Sequence, residues 1–83
     1  MTEKEFMLVY RYLHSLLPDM PEWLCIELRT INQEIMGHVE KFRRGDSAEP
    51  DWTRYAREIN YLLEQEGFEP IFTMVTPLTT SEA

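Results

Sequence analysis

Two histidines, one cysteine and a scatter of carboxylates are the side chains from which this chain would have to build catalysis. Glu34 and His38 stand one helical turn apart, so on a helix they share a face and offer two metal ligands. Two ligands are too few to hold a metal ion, and the Glu-x-x-His spacing of di-iron bundles is absent. The plainer reading of that pair is a surface histidine beside a carboxylate. His14 falls at the edge of an apolar helix face, where a partly buried structural histidine is expected. Cys25 sits among Trp23, Leu24 and Ile26, which supply nothing to activate a thiol, so it reads as a small core residue. The sequence holds no Gly-rich phosphate loop, no nucleophile elbow and no metal-spaced cysteines. A non-enzymatic protein with no cofactor and no metal is the expectation.

Other residues are better suited to recognition. "KFRR", residues 41–44, is the one basic cluster; it complements a helix C-terminus or contacts phosphate or an acidic partner. Arg54, Arg57 and Tyr61 fall opposite the core stripe of their helix, and arginine and tyrosine are the residue types that anchor interfaces. The competing reading pairs Arg54 with Glu58 across one turn and lays Tyr61 flat on the helix. Leu8 and Tyr12 lie one turn apart on the non-core side of the first helix. They dock on a partner or a second copy, or the C-terminal tail covers them, which the small size of the chain favours. Ile71 and Phe72, in the proline-fenced stretch "FEPIFTMVTP", complete the candidate partner-binding set.

These side chains need elements to position them, and the pattern predicts three helices. The first spans about residues 3–17, opened by a Thr2–Glu5 capping box and stopped by Pro18, with Phe6, Val9, Tyr10, Leu13, Leu16 and Leu17 inward. The second spans about 20–44, started at Asp19 and Pro21 and ended by Gly45. Its stripe is Leu24, Leu28, Ile31, Ile35, Val39 and Phe42, and Gly37 on the far side is expected to mark a bend or a close helix contact. The third spans about 50–66, with Trp52, Tyr55, Ala56, Ile59, Leu62 and Leu63 inward and Gly67 as its stop. An extended tail follows, with a short strand at 71–75 as one of its readings. No second β-prone run accompanies it, so packing across the helices is favoured over pairing with a twin or with a partner's sheet. The fold class is therefore all-α: one compact three-helix domain over residues 1–76, with 77–83 frayed.

Composition narrows the function classes. The chain has 83 residues and a formal charge of −7. Residues 46–83 hold eight acids against Arg54 and Arg57, so the excess lies in the C-terminal half. That balance disfavours direct binding to duplex nucleic acid, which relies on neutralising phosphates. A lone cysteine, no signal-peptide pattern at the start and no apolar run of about 20 residues point to a cytoplasmic protein without membrane attachment. The leading expectation is a small acidic interaction domain that docks on a larger protein as inhibitor or adaptor, in the general manner of small phage and mobile-element proteins. An acidic mimic of nucleic acid, using carboxylates such as Glu58, Glu64 and Glu66, is a sharper alternative. A homodimeric helical transcription regulator is the third.

Overall fold

The computed structural model describes residues 1–73, and within them the chain forms three helices. They are α1 (Glu3–Leu16), α2 (Glu22–Arg43) and α3 (Trp52–Gln65), and a 3₁₀ turn (Leu17–Asp19) joins the first two. The frayed end expected at 77–83 lies outside the described residues.

Each helix end shows what its sequence can satisfy. At the start of α1, the Thr2 hydroxyl accepts the Glu5 N–H at 3.2 Å while the Glu5 carboxylate accepts the Thr2 N–H at 2.8 Å. This capping box was expected, and the Thr2 backbone bond is the main influence holding the Glu5 carboxyl below its ordinary pKa. The start of α2 differs from expectation. Asp19 is taken up by the 3₁₀ turn and Met20 is extended, so Pro21 becomes the N-cap with no side-chain bond. An Asp cap must directly precede the first helical turn, and here two residues intervene.

Gly45 and Gly67 take φ of 82° and 85°, a region that strains any residue with a Cβ. Each closes its helix with paired bonds: Asp46 and Gly45 donate to Lys41 and Phe42, and Phe68 and Gly67 donate to Leu63 and Glu64. Gly37 has no such duty. α2 runs through it without a break, about 33 Å in all, and a Cβ there would meet nothing within 4 Å.

The core gathers around Phe6, which is fully buried. Its ring lies 5.1–5.2 Å from those of Tyr10, Trp52 and Phe72. Leu24, Leu28, Ile31, Ile35 and Val39 bring α2 to this cluster, and Ala56, Ile59 and Leu63 bring α3. Three sequence assignments shift. Phe42 remains 38% exposed, because it lies one turn beyond Val39 at the end of α2, past the last buried residue of the stripe. Cys25 is half-buried rather than core, its Sγ 3.5 Å from the Leu17 carbonyl oxygen. His14 is exposed too, its ring edge-on to Tyr10 at 4.7 Å.

The tail turns back after Gly67 and enters the core at Phe72, which is 1% exposed and stacked on Phe6. Residues 71–73 are not a strand, and the remainder of the expected strand, residues 74–75, lies outside the described residues. The extended backbone is paired by one side chain. The Asn60 Oδ1 accepts the N–H groups of Ile71 and Phe72 at 3.1 and 3.0 Å, and its Nδ2 donates to the Phe72 carbonyl at 2.9 Å.

Between α1 and α2, the Tyr10 hydroxyl donates to Asn32 Oδ1 at 2.6 Å, and burial pushes the phenol up to about 12 from 10.0. The unfolded chain therefore loses this proton first on alkaline titration. Tyr10's contribution to stability is full below pH 10 and is lost as pH rises toward 12. Urea unfolding midpoints are expected to fall across that window, and to fall less steeply in Tyr10→Phe. Equal slopes in the two proteins would show that this phenol is not responsible.

Candidate interaction surface

The seven residues picked out for recognition occupy three different environments. Leu8 and Tyr12 stand 64% and 58% exposed on the outer face of α1. The described part of the tail does not cover them: Phe72 takes it into the cleft beside Phe6, and the rest of the tail expected to lie over them falls outside the described residues. Ile71 is half-buried against the core, and Phe72 is inside it. Phe72 thus serves the core in this structure. Arg54 is exposed and engages Glu58 at 3.1 Å, the i,i+4 pair that its spacing implies. Arg57 and Tyr61 are half-buried.

Two of these positions, Ile71 and Phe72, line one groove of about 330 Å³. Glu5 and Val9 of α1 form one wall, Thr53 of α3 and Met1 the other, and Ile71, Phe72 and Thr73 line it from the tail. Leu8 and Tyr12 continue the α1 wall outward, three residues beyond Glu5 and Val9 respectively, as neighbours on a helix surface. Arg57 follows Thr53 by one turn on the α3 side. Its Nε is buried, with no hydrogen-bond partner among the described residues. Arg54, turned to Glu58, does not join this arrangement.

The "KFRR" arginines are already engaged. Arg43 pairs with Glu3 and Arg44 with Asp46, both at 3.5 Å and both exposed, so each pair contributes little to stability. Lys41 instead borders a second, more polar cleft of about 430 Å³ between α2, α3 and the loop over residues 45–51. There the His38 Nε2 lies 3.2 Å from the Ala48 carbonyl and Nδ1 lies 3.5 Å from the Tyr55 hydroxyl. One tautomer satisfies both contacts, with Nε2–H donating to Ala48 and Nδ1 accepting from Tyr55. Burial first, and the nearby Glu34 carboxylate next, raise the Tyr55 pKa. The arrangement ties the loop to both helices. Glu34 and His38 gain no third metal ligand, and no group of three such ligands occurs among the described residues.

No family model, curated protein or solved structure matches the chain. Sequence reasoning missed Asn60, the one buried polar residue of the described chain. The available signal was an amide inside the apolar arc of α3, beside Ile59 and one turn from Ala56. The groove was missed as well, since it needs Val9, Thr53 and Ile71, which are distant in sequence.

The exposures of this surface generate a stability test. Leu8→Gln and Tyr12→Gln are expected to change the unfolding free energy by less than about 0.5 kcal/mol each, whereas Ile71→Gln costs more than about 1 kcal/mol. Chemical denaturation checks this. A large penalty at Leu8 or Tyr12 would mean that these side chains serve the fold.

Proposed function

We propose that this protein is a cytoplasmic, non-enzymatic interaction domain that docks on a larger protein as an inhibitor or adaptor. The observation that carries the reading is the pair of large apolar side chains, Leu8 and Tyr12, standing exposed beside an apolar groove. Trp23 and Ile26, three positions apart on α2, are also exposed, but less so than Leu8 and Tyr12, and the Trp23 indole N–H is held by Glu66 at 2.6 Å. Apolar surface next to a concave, partly apolar site is what a protein partner buries. A membrane is a poorer match, since no helix among the described residues is long and apolar enough to cross one.

The pairing of charges disfavours the other readings. Glu58 of α3 and Glu66 just past its end are engaged by Arg54 and Trp23, which leaves a nucleic-acid mimic fewer free carboxylates there. Arg43, Arg44 and Arg54 are each neutralised by a neighbouring acid, which weakens them as phosphate contacts for a DNA-binding regulator. The loop between α2 and α3 is also longer than the short turn of a helix-turn-helix.

Affinity capture from the native host, read by mass spectrometry, tests the proposal. The wild-type protein is compared with a Leu8→Gln/Tyr12→Gln double variant and with Ile26→Gln on the outer face of α2. A protein retained by wild type and Ile26→Gln but lost by the double variant is the expected result. Equal retention by all three would place docking elsewhere, and a homodimer in light scattering with no retained protein would replace the reading.

A further inference from the structure

We propose that the outer face of α1 receives an amphipathic helix of the partner, with two carboxylates seven residues apart and a large apolar side chain between them. This rests on the docking surface proposed above and specifies the chemistry of what covers it. Lys4, Leu8, Arg11 and Ser15 follow one another at spacings of four, three and four, with Tyr12 beside them. Helical geometry puts this stripe opposite the buried Phe6, Tyr10 and Leu13, and all five of its residues are exposed. The stripe is basic in a chain of net charge −7. Neither Lys4 nor Arg11 is in an ion pair among the described residues, whereas Arg43, Arg44 and Arg54 each hold an acid. Both acids of α1 are committed elsewhere: Glu3 pairs with Arg43, and Glu5 accepts the Thr2 N–H.

Charge and spacing together select the occupant. A surface that buries Leu8 and Tyr12 also takes water from the cations on either side, which then need acceptors. Lys4 and Arg11 stand two turns apart, a rise of about 10 Å, and a helix lying along α1 repeats that rise with residues seven apart. Alternating steps of three and four are the spacing by which one helix seats along another. A second copy of this chain fits poorly. Two such stripes packed antiparallel about Leu8 would set Lys4 of each copy against Arg11 of the other, like charge on like. An extended anionic surface, such as duplex nucleic acid or a membrane, also meets the acids outside the stripe. A narrow helix limits that repulsion, which salt screens over about 8 Å at physiological ionic strength.

Selection from a displayed helical scaffold, randomised along one exposed face, against the full chain tests this. Enriched helices are expected to carry Asp or Glu at two positions seven apart with a large apolar residue between. The best binder should lose about tenfold or more in affinity when its acids become amides, and similarly on Lys4→Glu/Arg11→Glu or the milder Lys4→Gln/Arg11→Gln. Selection repeated on the charge-reversed variant should enrich Lys or Arg at those positions instead. The inference is overturned by absence of enrichment, by acid-free helices, or by binders indifferent to both charge variants. Sedimentation of wild type with phosphatidylcholine–phosphatidylserine vesicles, abolished by Lys4→Glu/Arg11→Glu, would overturn it in favour of an anionic membrane surface. The Leu8→Gln/Tyr12→Gln variant separates this from the docking surface itself. If it removes binding while the charge variants bind like wild type, the surface stands and the acidic helix falls. If it changes nothing while the charge variants remove binding, the carboxylate contacts stand and the apolar surface falls.

Discussion

The side-chain amide of Asn60 is the constraint on which the rest of this fold depends. An extended backbone entering a protein interior carries N–H and C=O groups that need partners, and a single unpaired strand has none. Asn60 supplies them from within α3, with one oxygen for two N–H groups and one N–H for a carbonyl. Two donors converge on one end of the amide and an acceptor faces the other, so its orientation is fixed by the chain it binds. Phe72 can then enter the core, where it stacks on Phe6 beside Tyr10 and Trp52. Without that polar clamp, burial of the Phe72 ring would strand three backbone groups, each at a cost of about 1–3 kcal/mol.

The groove is a consequence of the same clamp. Held at residues 71–72, the tail lies between α1 and α3, and its far side becomes one surface of the groove. α1 turns Phe6, Tyr10 and Leu13 inward, so Leu8 and Tyr12 point away from the core and stay exposed. A helix with more apolar surface than its core contact uses is the sequence-level sign of such a surface.

Much of the frame was legible in the sequence because it is local. Thr2 and Glu5, or Gly45 and Gly67, act within one turn of their positions, and the stripe on α3 requires only helical periodicity. Legibility fails where a residue answers to something distant. Asp19 resembles a cap, but Pro18 and the tight 3₁₀ turn absorb it. Phe42 keeps the phase of the α2 stripe yet passes the end of the core. Asn60 in an apolar arc reads as an interruption until the tail returns from eleven and twelve residues away to bind it. The recognition residues divide similarly: Arg54 follows its neighbour Glu58, whereas the unmatched state of Arg57 emerges only from the folded chain.

Asn60→Asp, compared with wild type by urea unfolding at acid and neutral pH, tests the clamp most directly. A protonated carboxyl group can donate to the Phe72 carbonyl as the amide does, whereas a carboxylate cannot and is buried against that oxygen. Burial and the facing carbonyl outweigh the two N–H groups that the other oxygen still accepts and raise the aspartate pKa in the folded state above its unfolded value of about 3.9, so stability is present at low pH and lost as pH rises. The variant should therefore stand within about 1 kcal/mol of wild type near pH 4 and fall about 2–3 kcal/mol below it near pH 7. A variant as stable as wild type at both values would contradict the account, because the Asn60 bonds would then not be what holds the tail.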